Sequence, residues 1–124
     1  MKKINSLDSI EIPQNYRNYL LEFIKNISEI PFINRVILFG SCAKKNVTKY
    51  SDIDLFITTN REITEDEEML VSFYSIPEYD INTLPTDIII QTENDFNNYA
   101  DTFGMVQKQI VNEGIDLSGL LRQR

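Results

Sequence analysis

The stretch LFGSCAKKNVTKYSDIDLFI, residues 38–57, holds the side chains that invite a chemical reading. Asp52 and Asp54 sit two apart at the start of an apolar run. Successive side chains on a strand point to opposite faces, so both carboxylates project from one face and Ile53 and Leu55 from the other. Two like charges at that distance repel unless a cation lies between them. Magnesium takes octahedral oxygen ligands and is commonly held by one or two carboxylates plus substrate phosphates. A D-x-D on a strand is therefore half of a site for a metal–nucleotide complex. Asp87 opens a second run of the same texture, TDIIIQT. If the two strands are neighbours, Asp87 faces the same cleft. Three carboxylates around one or two magnesium ions suit phosphoryl or nucleotidyl transfer, the third accepting a proton or completing the metal site.

Gly40 and Ser41, eleven residues before Ser51, supply a place for phosphate. Glycine lets a ligand approach the backbone closely, and N–H groups at a helix start attract anions. Lys44, Lys45 and Lys49 add cations to offset triphosphate charge. Taken singly, each piece has an ordinary structural reading. D-x-D can be strand polarity, Gly-Ser a turn, Asp87 a strand-edge cap and the lysines a solvated loop. Their order along the chain, each at a strand end, is what joins them.

Those strands need a scaffold. Pro13 followed by Leu20, Phe23, Ile24 and Ile27 predicts a helix over about 13–29. NRVILFG reads as a buried strand, and Ser41 as the cap of a short helix over 41–46. SDIDLFITT gives a strand over about 52–58. Thr64 and Glu67 form a capping-box pattern for a helix within 61–75, with Met69, Leu70, Phe73 and Tyr74 as its apolar stripe. A loop leads to the strand 86–91. Thr92 or Asn94 can cap the next segment, a helix spans about 103–113 and closes at Gly114, and residues 115–117 form a last short strand. The expected class is α/β, a small mixed β-sheet flanked by helices, in one domain over 1–124.

Composition narrows the chemistry. The chain has 124 residues, 42% hydrophobic and 25% charged, as expected of a globular protein. Its net charge of −7 argues against general nucleic-acid binding. There is no histidine, so any metal must be held by oxygen, which favours hard ions. The lone Cys42 cannot form an internal disulfide. No stretch has the length of a membrane helix, and Lys2 and Lys3 precede no long apolar region, so a cytoplasmic location is expected.

The run GSCAKKNVTKYSDIDL resembles the G-S-x-A-R/K…S-D-I-D-L motif of the minimal nucleotidyltransferases in the DNA polymerase beta superfamily. PTDIII is similar to that family's third-aspartate strand, and QIVNEGIDL to its C-terminal helix ending. The likeness covers about 33–117. It implies the polymerase beta-like nucleotidyltransferase fold, with Gly40, Ser41, Lys44 and Ser51 at the nucleotide. Asp52, Asp54 and Asp87 would then be the catalytic, magnesium-holding residues. Lys44 stands where the family often has arginine, and Lys45 where glycine is common. The donor implied is ATP or another nucleoside triphosphate. Small members commonly act with a helical HEPN-type protein partner, some as antitoxins that transfer AMP onto the toxin. Two other readings stay open: a non-catalytic partner that masks a helical toxin, and an antibiotic-modifying enzyme, which the lack of room for a drug-binding domain disfavours.

Overall fold

The computed structural model describes residues 1–44, 47–48, 50–77 and 84–121. Its elements follow the order β1 (Lys2–Lys3), α1 (Gln14–Ile27), β2 (Ile33–Phe39), β3 (Ile53–Thr59), α2 (Glu65–Tyr74), β4 (Thr86–Thr92), α3 (Glu93–Tyr99), α4 (Val106–Glu113) and β5 (Ile115–Asp116). The strands form one sheet in the order β1-β5-β2-β3-β4. β2 is antiparallel to both its neighbours, whereas β3–β4 and β1–β5 are parallel. The sheet is thus mixed and flanked by helices, as the sequence predicts.

Alternation along the strands creates two apolar faces. Val36 and Leu38 of β2 and Ile53, Leu55 and Ile57 of β3 meet Tyr16, Leu20, Phe23, Ile24 and Ile27 of α1. The opposite face carries Ile37 and Phe56, covered by Phe96 of α3 and Ile110 of α4. Phe56 and Phe96 pack edge to face with ring centres 5.1 Å apart, a geometry that adds about 0.5–1.5 kcal/mol beyond burial. Asp54 and Asp87 belong by alternation to this second face, at the end that the two helices leave open.

Three expectations need correction. Residues 40–42 form a short 3-10 turn with Phe39 at its N-cap position, so Ser41 lies inside the turn and caps nothing; the rest of the expected 41–46 helix reaches residues outside those described. The segment after β4 holds an unexpected helix: Thr92 caps α3 by accepting from the Asp95 amide, and the helix expected over 103–113 is α4, which starts only at Val106. Finally, the stripe of α2 is not core. Val71 is the buried residue of that helix. Met69, Leu70, Phe73 and Tyr74 are all exposed.

The capping box of α2 is present in both directions: the Glu67 amide donates to Thr64 Oγ1 at 3.2 Å and the Thr64 amide to Glu67 Oε1 at 3.0 Å. Arg61 adds a two-pronged pair with the same carboxylate, at 3.1 and 2.7 Å. Arg61, with the Thr64 amide, lowers the Glu67 pKa to about 2, from an ordinary 4.5. A carboxylate lowered on folding stabilises the fold fully above its unfolded value and loses that contribution as pH falls through the folded one. Glu67→Gln is therefore expected to lower the melting temperature at neutral pH and to leave the difference from wild type shrinking between about pH 4.5 and about pH 2. Thermal melts across that range check it; a gap independent of pH contradicts it.

Candidate active site

Parallel pairing sets Asp54 of β3 directly against Asp87 of β4. Their carboxyls lie within hydrogen-bonding reach. Burial raises the pKa of Asp54, and the charges of Asp87 and Asp52 push it further in the same direction. Asp54 is half-buried, while Asp52 and Asp87 are exposed. Among the described residues no cation forms a salt bridge with any of the three. Nor, among those residues, do three or more metal-ligating side chains converge into a ready-made cage. The donor set is nevertheless all oxygen, negatively charged and uncompensated, which fits a hard divalent cation completed by ligands from outside the chain.

Gly40 closes the site from β2. Its φ is +74°, a left-handed conformation that side-chain-bearing residues rarely adopt. A Cβ there would lie 2.2 Å from Asp54 Oδ2. The glycine is thus required twice, by the turn and by the carboxylate pressed against it. Ser41 follows within the 3-10 turn, half-buried. Cys42 is buried just beyond, its Sγ 3.5 Å from the Asp52 carbonyl oxygen. Burial, then Asp54 and Asp52, raise its thiol pKa to about 11, which favours the neutral thiol.

The remaining expected residues are occupied otherwise. Lys44 Nζ pairs with Glu113 at the end of α4 at 3.0 Å, both half-exposed. Ser51 Oγ accepts from the Thr48 amide at 2.8 Å and so shapes the loop before Asp52. Lys45 and Lys49 lie outside the described residues.

The sequence reading missed two braces from α1. Tyr16, fully buried, directs its hydroxyl at the carbonyls of Ser51 and Thr48, at 2.7 and 3.0 Å. Tyr19 shares a 2.7 Å hydrogen bond with Thr86 Oγ1, and Thr86 donates to the Leu84 carbonyl at 2.9 Å. One tyrosine steadies the approach to Asp52, the other the approach to Asp87. The signal was present as two tyrosines three apart on the buried face of a helix, but nothing local says what their hydroxyls meet.

Gly40→Ala is expected to cost roughly 1–2 kcal/mol from its backbone conformation alone and to displace Asp54. Tyr16→Phe removes a donor from the part-buried Ser51 and Thr48 carbonyls, the latter still bonded by the Ser51 amide at 3.1 Å, and is expected to cost about 0.5–1.5 kcal/mol. Thermal or denaturant unfolding and titration with Mn2+ check both: weaker cation binding by a still-folded protein is the expected result. Unchanged cation binding in both variants would contradict the link between these contacts and the carboxylates.

Comparison with known proteins bears on the same residues. The family model described as "Polymerase beta, Nucleotidyltransferase" matches residues 20–119. No curated protein matches. Among solved structures, the chain is similar to a "putative nucleotidyltransferase" from Sulfolobus solfataricus, with 22% identity over 64% of this chain and 68% of that one and a TM-score of 0.48. The family match runs without a break through β2, the Gly40 turn and both aspartate-bearing strands to β5, and the chain belongs to the polymerase beta nucleotidyltransferase family.

Proposed function

We propose that the chain transfers a nucleotidyl group, AMP from Mg-ATP, to a hydroxyl of a partner protein. The observation that carries this reading is the placement of Asp54 against Asp87, with Asp52 on the same strand face and Gly40 pressed on Asp54. Asp52 and Asp54 would hold magnesium, and Asp87 would complete the set. Bound there, the ion would neutralise triphosphate charge.

The chain's own residues do the rest. The turn at Gly40 and Ser41 offers backbone N–H groups and a hydroxyl to the phosphates. Asp87, exposed, accepts the proton of the acceptor hydroxyl. The acceptor oxygen bonds to the α-phosphorus as the bond to the β-phosphate oxygen breaks, and pyrophosphate leaves. Lys44 can reach phosphate only by leaving Glu113, an exposed and therefore weak pair. By the sequence resemblance, the partner is a helical HEPN-type protein and the chain its antitoxin.

Intact-mass measurement of such a partner, incubated with this chain, magnesium and each nucleoside triphosphate in turn, tests the proposal. The expected result is a gain of one or more adenylyl groups with ATP, absent with Asp52→Ala/Asp54→Ala. Asp87→Asn is expected to keep Mg-ATP binding and lose transfer. Inhibition of the partner without any mass gain would instead establish a masking role.

A further inference from the structure

Helix α2 turns its apolar stripe outward. Met69, Leu70, Phe73 and Tyr74 are spaced to share one helix face. They are exposed by 56, 49, 70 and 49%. Leu70 and Tyr74 continue into a shallow groove of about 330 Å³ with Glu29, Ile30, Pro31 and Phe32. An isolated exposed leucine is ordinary; four large side chains in one stripe beside a groove form an interaction surface.

Charge identifies the occupant. The first turn of α2 carries Glu65, Asp66, Glu67 and Glu68, and the helix has no Lys or Arg. Glu29 lines the groove. The nearby cation, Arg61, is bound to Glu67 and stacked 4.8 Å from the Phe32 ring. An apolar stripe that begins in an acidic helix turn complements an apolar stripe framed by cations. A second copy would set one acidic helix against another, and an anionic lipid surface would be repelled.

We propose that α2 and the adjoining groove dock a partner protein through an amphipathic helix whose apolar face is flanked by Lys and Arg. The surface is remote from the carboxylates. Phe32 accepts from the Asn60 amide just beyond the end of β3, whereas Asp54 stands near the strand's beginning. Docking there leaves the aspartates open and does not depend on the chain being catalytic.

The test uses the full chain and three synthetic peptides of about five helical turns. One has a leucine stripe flanked by Lys and Arg, one the same stripe flanked by Glu, and one the basic composition with the stripe scrambled. Calorimetry is expected to show binding of the first alone, weakening with salt. Leu70→Ser/Phe73→Ser, with an unchanged melting curve, should weaken it at least about tenfold, or roughly 1.4 kcal/mol. Glu65→Lys/Glu68→Lys should shift preference toward the Glu-flanked peptide, and Asp52→Ala/Asp54→Ala should change nothing. No binding of the first peptide, equal binding of the scrambled one, or indifference to the Leu70/Phe73 change overturns the proposal. So does a dimeric chain that the same change makes monomeric, which would make a second copy the occupant.

Discussion

Parallel pairing of β3 with β4 is the constraint on which the rest depends. In a parallel ladder, residues paired in register project their side chains from the same face of the sheet, side by side. Register then brings Asp54 and Asp87 together at the same height. Below them the ladder is apolar on the α1 side, where Leu55 and Ile57 are fully buried. Slipping one residue would exchange the two faces of β3 and carry its aspartates into the apolar core against α1. The core thus holds two repelling carboxylates where they would not remain by themselves.

The second sheet face works in the same direction. Arg35 lies over the Phe96 ring at 4.9 Å and pairs with Glu93, which also accepts from Asn34 and Thr58. Burial opposes ionisation of Glu93, yet these donors outweigh it and its pKa is lowered. That network ties β2, β3 and α3 together at the end of the sheet away from Asp54. Among the described residues, charge is therefore paired at one end and unpaired at the other. The contrast sets apart a carboxylate that supports the fold from the carboxylates proposed to hold a cation.

The fold class and the grouping of the candidate aspartates were legible in the sequence; the finer scaffold was not. A period of two places Asp52 and Asp54 on one face whatever else the chain does, and the Gly-Ser pair stands out because few glycines are present. Register was not legible, since nothing in TDIIIQT specifies its neighbour. Helix α3 escaped notice because Phe96 is its buried residue, so it has no apolar stripe to read. β1 is two exposed lysines, a strand only by its bonds to β5. On α2 the period was right and the inference of burial wrong: periodicity reveals a face, not what covers it. Lys44 and Ser51 show the converse limit, because a side chain suited to phosphate can be engaged within the fold instead.

Cys42 carries a last consequence. Its thiol is shut behind the Gly40 turn, with a pKa of about 11 and its sulfur against the Asp52 backbone. In the folded protein it is almost wholly buried, and its raised pKa favours the neutral, slow-reacting thiol. Because the chain holds one cysteine, its labelling is a clock set by how often this turn lifts away from the aspartate strand. The fold thereby carries its own chemical reporter of motion in the loop that would receive phosphate, with no added probe to disturb it.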